Sequence, residues 1–305
     1  HFYPATIPLV KKMLVSVIVC VLNRENDIKK VLDALLIQDY KNIEIIFVDN
    51  GSVDATVNIL NECTDSRVVT IDGSKFKGSP YSARNLGIKH AQGDVIAFMD
   101  GYPDTCWISN SISVMNEENL DIVAGKVVLP TTSTSTIYEL YDSIFSLDIE
   151  YMVEKYSCAP TANLLVKRDV FSEVGLFDDN IRSGGDVLFT SSATNCGFRL
   201  GFSEQSRSYY YTRDKTKLID KQRRVAKGQV NIWRKRGSVN LEIFKTLIKF
   251  LIPFNPKSTY YRINKNRNDK IKFSKFISLY FLRHKLDRIR LYNTLLEVIK
   301  GSGKK

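Results

Sequence analysis

Gln92-Gly-Asp94-Val-Ile-Ala-Phe-Met-Asp100-Gly-Tyr102 reads as a buried strand that ends in a carboxylate. Upstream of it the chain alternates strands with helices, which places Asp100 at the carboxyl edge of a parallel sheet, where open α/β folds bind ligands. Leu14-Val-Ser-Val-Ile-Val-Cys-Val-Leu22 is an apolar, β-branched run too short to span a bilayer. It leads into the helical spacing of Ile28, Val31, Leu32, Leu35 and Leu36. Ile43-Glu-Ile-Ile-Phe-Val-Asp49 repeats the strand signal, and Asn50-Gly-Ser-Val-Asp54 supplies turn and helix-start chemistry. A further strand is expected over 67–71 and a third helix over 81–91. This alternation predicts an α/β fold with a mostly parallel sheet, right-handed crossovers and helices on both faces.

The 305 residues and 44% hydrophobic content suit one sizeable core with an appendage. Charge is distributed unevenly. Residues 1 to 200 hold 17 Lys and Arg against 26 Asp and Glu, whereas residues 201 to 305 hold 27 against 7, so the net +11 belongs to the last third. The five cysteines, Cys20, Cys63, Cys106, Cys158 and Cys196, are odd in number and lack a CxxC pair. They read as core thiols of a reducing, cytoplasmic compartment. No signal peptide is expected in residues 1–12, where the charges follow the apolar part. Met13 is a candidate natural start, with residues 1–12 an appended segment. A globular domain over 13–230 and a basic helical region over 231–305 complete the expected organisation.

Five stretches occur together in a familiar order. They are Val15-Ser-Val-Ile-Val with Leu22-Asn23-Arg24-Glu25, Val48-Asp49-Asn50-Gly51-Ser52-Val-Asp54, Ala83-Arg84-Asn85-Leu-Gly87 with Gly93-Asp94, Phe98-Met-Asp100, and Thr161-Ala-Asn163-Leu-Leu-Val-Lys-Arg168 followed by Gly184-Gly185-Asp186. From about Val15 to about Gly228 the chain thereby resembles the family 2 glycosyltransferases, inverting enzymes of GT-A fold that use nucleotide-diphosphate sugars. The resemblance implies a nucleotide site at Val21, Asn23, Arg24, Asp49, Asn50, Arg84, Asp100 and Tyr102. It assigns Asp49 to a uracil-like base and Arg84 to the base or diphosphate, where a guanidinium pairs with phosphate oxygens. Helix or turn capping is the plainer role for Asp49, and a surface ion pair for Arg84. The resemblance makes Asp186 the general base that deprotonates the acceptor hydroxyl, although glycine replaces the glutamate that usually precedes it. Trp107, Asn163 and Gly185 are expected toward the acceptor, with core packing the alternative for the aromatic residue.

The departures from the family concern metal. Its DxD element reads Asp100-Gly101-Tyr102 here, and the later histidine position reads Tyr211. A phenol is a poor ligand for Mg²⁺ or Mn²⁺, which favour carboxylate and water oxygens. Three readings stay open: metal-free neutralisation of the diphosphate by Tyr102, Tyr211, Arg213 and neighbouring cations, a looser metal site from Asp100 and Asp104, or a catalytically silent nucleotide-sugar binding protein. Beyond Arg213, the apolar stripe Leu241-Glu-Ile-Phe-Lys-Thr-Leu-Ile-Lys-Phe-Leu-Ile252 and the Lys- and Arg-edged segment from Phe273 to Ile299 suit an anionic membrane surface. Packing on the catalytic domain is the alternative. A peripheral location on the inner membrane face and a glycan or lipid-linked acceptor are the matching expectations. No nucleic-acid module is recognisable.

Overall fold

The computed structural model describes residues 12–76, 78–181, 183–265 and 270–302; all but Lys12 of the expected N-terminal segment lies outside them. The chain runs β1 (Val15–Val21), α1 (Ile28–Leu36), β2 (Ile43–Asp49), α2 (Thr56–Asn61), β3 (Val68–Asp72), α3 (Pro80–His90), β4 (Val95–Met99), β5 (Tyr102–Pro103) and α4 (Trp107–Glu117). It continues through β6 (Ile122–Val128), α5 (Ile137–Phe145), α6 (Ile149–Tyr156), β7 (Asn163–Lys167), α7 (Arg168–Val174), α8 (Gly185–Asn195) and β8 (Leu200–Tyr209). Four helices close it: α9 (Lys215–Lys235), α10 (Val239–Leu251), α11 (Pro256–Asn264) and α12 (Phe273–Ser302).

The eight strands form one sheet in the order β3-β2-β1-β4-β7-β6-β8-β5. The first four are mutually parallel, with Val17 beside Ile45 and Val15 beside Val95, as the alternation predicts. Beyond β4 the sheet is mixed: β7 runs antiparallel to both β4 and β6, and β5 pairs antiparallel with β8. Both faces are covered, which is why the strands read as continuous apolar runs rather than alternating ones. Val15, Val17 and Val19 pack with Ile28, Val31, Leu35 and Trp107 on one face. Ile18, Ile46, Phe98 and Leu164 pack with Tyr81, Phe171, Phe177 and Phe189 on the other. Polar side chains with no place in either layer collect where the strands end.

The thiols are less uniform than expected. Cys158 is buried and Cys20 and Cys63 are half-buried, but Cys106 and Cys196 are exposed. Those two lie in the turns flanking helices α4 and α8, outside the apolar runs.

A third core joins the basic helices to the domain. Leu140 and Tyr141 of α5 meet Leu218 of α9, Ile263 of α11, and Phe276, Leu279, Leu282 and Leu286 of α12. Leu218, Leu279 and Leu286 are essentially inaccessible, and burying each such side chain contributes ~1.5–3 kcal/mol. The 230/231 position therefore falls inside the uninterrupted helix α9, whose two halves serve both regions. Among the described residues, no helix is long and apolar enough to cross a membrane.

Asp142 on α5 fastens this junction electrostatically. Its carboxylate is fully buried and accepts from the Arg213 backbone N–H at 2.9 Å and the Arg213 guanidinium at 3.1 Å, with Lys221 Nζ at 3.9 Å. Removing one member of a buried pair leaves uncompensated charge, which costs far more than the pair contributes. Asp142→Ala is expected to lower unfolding free energy by about 3 kcal/mol in urea denaturation, and an unchanged midpoint would refute the anchoring role.

Candidate functional site

The carboxyl ends of β1, β2 and β4 converge on Asp100. Arg24, in the turn after β1, donates to the Asp100 carbonyl at 2.9 Å while its Nε donates to Asp27 at 3.0 Å. Arg84, on α3 and largely buried, donates to Asp100 Oδ1 at 3.1 Å. Two guanidiniums, one from the turn after β1 and one from α3, thus hold the end of β4. Such charge-assisted bonds are about twice as strong as neutral ones.

Asn23 sits in left-handed backbone (φ 52°), kept there by Ser52 Oγ accepting from its N–H and by its own Oδ1 accepting from Val53. At the end of β2, Asp49 accepts from the Gly51 and Ser52 N–H groups at 3.1–3.2 Å. That geometry is a turn cap, the plainer of its two expected roles. Asn50 is buried beside it, and its Oδ1 has no partner among the described residues. Val21, Asn23, Arg24, Asp49 and Asn50, the residues expected at a nucleotide, form one contiguous edge, linked to Arg84 through Asp100.

A cleft of about 200 Å³ opens beside this edge, lined by Arg84, Asp100, Thr161, Asp186, Tyr210, Arg213, Lys221 and Arg224 among others. Asp186 lies in the first turn of α8, after Gly184 in left-handed backbone (φ 83°). Its carboxylate is oriented by four donors: the Tyr81 hydroxyl at 2.9 Å, the Thr161 N–H at 3.1 Å and hydroxyl at 3.3 Å, and the Val187 N–H at 3.0 Å. Gly185 is the position of the missing glutamate. A Cβ there would come within 2.8 Å of the Tyr81 ring, and the Gly185 N–H donates to the Tyr81 hydroxyl at 2.9 Å. Tyr81 thus occupies the space that a side chain at residue 185 would need. Burial, with Asp186 nearby, raises the Tyr81 phenol well above the ordinary tyrosine value, so it stays a donor to the carboxylate.

Four cations, Arg84, Arg213, Lys221 and Arg224, share this cleft with only two carboxylates, Asp100 and Asp186. Burial, followed by repulsion from Arg213, brings the Lys221 ammonium down to about 7. A negatively charged ligand would restore its proton.

Several expected positions lie elsewhere. Trp107 is wholly buried, its indole N–H donating to Asn163 Oδ1 at 2.7 Å. Asn163 is equally buried and spends its amide on the Lys126 and Ser206 carbonyls. Neither exposes surface to an acceptor; the pair ties α4 to β6, β7 and β8, because a buried indole N–H and amide must find partners. Tyr102 and Tyr211 approach one another at 6.3 Å between ring centroids, Tyr102 stacks on Tyr209, and the Lys30 ammonium stands 3.6 Å over the Tyr102 ring. Where a metal ligand set was sought, an aromatic cluster holds an ammonium. Asp104 accepts from the Tyr209 hydroxyl at 3.2 Å, and Asp100 is committed to Arg84. No group of three or more His, Cys, Asp or Glu side chains suited to a metal exists among the described residues, so a Mg²⁺ or Mn²⁺ here would rest on Asp100 or Asp104 together with oxygens of the bound diphosphate and water. Sequence reasoning missed Tyr81, Thr161 and Lys221. Thr161 lay within a quoted motif, whereas nothing local marked Tyr81 or Lys221 as neighbours of Asp186.

Residues 16–175, just over half of the chain, match the model of Glycosyl transferase family 2. Glycosyltransferase AglE of Haloferax volcanii is 34% identical over 254 residues, covering 81% of this chain and 83% of AglE. The UDP-Glc:alpha-D-GlcNAc-diphosphoundecaprenol beta-1,3-glucosyltransferase WfaP of Escherichia coli is 41% identical over 109 residues, covering 35% of this chain and 43% of WfaP. Among solved structures, mannosyltransferase PcManGT from Pyrobaculum calidifontis, in complex with GDP-Man and Mn²⁺, superposes with a TM-score of 0.57 at 14% identity, over 97% of this chain and 77% of that one. S. aureus TarS 1-349 in complex with UDP-GlcNAc gives 0.53 at 16% identity, over 95% and 92%. At such identities the likeness speaks to fold alone, and that fold is GT-A. By its matched half and by its extended similarity to AglE, this chain belongs to glycosyl transferase family 2.

Proposed function

We propose that this chain transfers a sugar from a UDP-linked donor to a glycan or lipid-linked acceptor with inversion. The observation that carries this reading is that Asp186 and four cations face one cleft beside the carboxyl edge of the sheet. Inversion requires one carboxylate to remove the acceptor proton while the diphosphate leaves from the opposite side of the anomeric carbon. Asp186 suits that role because Tyr81, Thr161 and the α8 backbone fix its orientation. Arg84, Arg213, Lys221 and Arg224 are placed to neutralise the departing diphosphate, an electrostatic contribution that grows in a water-poor cleft. Asp49 and Asn50 supply the base-recognition edge. Support for a UDP donor comes from the names of WfaP and the TarS complex, and support for a lipid-linked acceptor from the name of WfaP.

A peripheral position on an anionic membrane accords with α10. Leu241, Phe244, Leu247, Ile248 and Leu251 are all exposed on it, Leu251 at 81%, with Lys245 and Lys249 alongside. This arrangement favours interfacial binding. Flotation with phosphatidylglycerol vesicles is expected to carry the wild type upward and leave Phe244→Glu/Leu247→Glu below; equal flotation removes the membrane assignment.

Asp186→Asn is expected to reduce transfer by ~10²–10⁴-fold with UDP affinity retained, and full turnover in the variant would dismiss Asp186 as the base. Assaying donor hydrolysis with and without EDTA separates the remaining readings: activity in both supports neutralisation by protein cations, and loss with chelator returns the role to a metal. Silence in both, with UDP still bound, supports a binding protein, a reading favoured by the tyrosines at residues 102 and 211. The Lys221 ammonium faces Arg213, Arg224 and Asp142. Since a bound diphosphate favours its charged form, UDP affinity is expected to be fully expressed below about pH 7 and to fall by up to roughly tenfold per pH unit above it. Calorimetry from about pH 6 to about pH 9 checks this, and Lys221→Met should flatten the profile.

A further inference from the structure

A second and larger cavity, of about 670 Å³, lies between α5, α6, α9, α10, α11 and α12. Among the described residues its walls carry Lys155, Lys221, Lys249, Arg262, Arg283 and Arg290, and a single carboxylate, Asp287. Some of this charge is already met. Arg290 pairs with Asp287, Arg262 with Asp148 at 3.0 Å, and Lys221 shares Asp142 with Arg213. Lys155, Lys249 and Arg283 have no carboxylate within 4.0 Å among the described residues. Arg283 is held rigidly, with its guanidinium 3.8 Å over the Phe254 ring and donating to Thr259 Oγ1 at 2.9 Å. Burial, followed by the neighbouring Arg262, depresses its proton affinity below the ordinary arginine value. Arg283 is thus fixed at the void and Lys155 and Lys249 reach its rim, an excess of positive charge that an anion would stabilise.

We propose that this cavity is a binding site for a phosphate or diphosphate group. The cation set suits phosphate oxygens, with Arg283 offering a planar fork and Lys155 and Lys249 acting as point charges. The remaining wall mixes polar side chains such as Gln222 and Gln229 with Tyr141, Phe145, Phe250 and Leu291, which offer contact to a hydrocarbon attached to that anion. Lys221 lines both this cavity and the cleft of Asp186. Helix α10 is the outer wall: Thr246 and Phe250 face the void, while Phe244, Leu247 and Leu251 point to the exterior. A diphosphate carried by a lipid could therefore lodge here with its sugar in the neighbouring cleft. That deepening rests on the proposed transferase reading, whereas the anion site stands without it.

Calorimetric titration with inorganic pyrophosphate tests the site in the wild type, in Lys155→Ala/Lys249→Ala and in Arg224→Ala, which alters only the cleft. Affinity is expected to drop at least about tenfold in the double variant and to retain a cavity-bound component in Arg224→Ala. Equal affinity in the wild type and the double variant, loss confined to Arg224→Ala, or no binding to the wild type overturns the proposal. UDP titrated into the same proteins reports on the donor reading separately: if UDP binds none of them, that reading fails while the pyrophosphate result stands. Geranylgeranyl diphosphate in detergent micelles identifies the source. Binding at least about tenfold tighter than pyrophosphate points to a lipid-linked ligand, and equal binding to a soluble one.

Discussion

Asp142 has no contact with solvent, yet it fixes two cations that belong to the working surfaces of the molecule. Arg213 and Lys221 both line the cleft of Asp186, and Lys221 also lines the larger cavity behind it. A buried carboxylate is unfavourable by itself, and here it is held by a backbone N–H and by cations that would otherwise repel each other. Through this one anion, α5 is tied to the turn before α9 and to the first half of that helix, whose second half continues into the basic region. Three cations of the last third, Arg213, Lys221 and Arg224, are thereby set at the cleft.

The same logic governs the other side of the cleft. Asp100 ends the central strand β4, and Arg24 and Arg84 hold it by its carbonyl and its carboxylate. Asp186 is oriented by neutral donors instead, namely Tyr81, Thr161 and Val187. The two acids thus have different surroundings: the carboxylate of Asp100 pairs directly with a guanidinium, whereas the hydrogen bonds to Asp186 come from neutral donors.

Much of this was legible in the chain itself. Strands β1, β2 and β4 announce themselves because both faces of the sheet are covered, and the expected limits of β1 and β2 lie within a residue of the observed ones, while β4 is shorter than the stretch that announced it. Asp49, Arg84, Asp100 and Asp186 were identified through motifs, and all four lie along the carboxyl edge or in the cleft beside it. Asn163 was placed toward an acceptor by its motif and Trp107 by the tendency of aromatic rings to stack on sugars, neither of which gives the direction of a side chain; the need to satisfy a buried indole turned both inward. The substitutions at Tyr102 and Tyr211 were visible, but the ammonium of Lys30 between their rings was not, since it comes from a helix that carries no motif. The family resemblance ended near Gly228 and suggested a boundary at 230/231, which an unbroken helix bridges.

The close packing of Gly185 against Tyr81 has an energetic consequence. Restoring an acidic residue at 185 would drive its first carbon into an aromatic ring that also orients the neighbouring aspartate. Shrinking that ring alone would leave Asp186 without one of its hydrogen-bond donors. The two positions are therefore energetically coupled: a side chain at 185 and the Tyr81 ring compete for one volume, and a change at either is felt at the other.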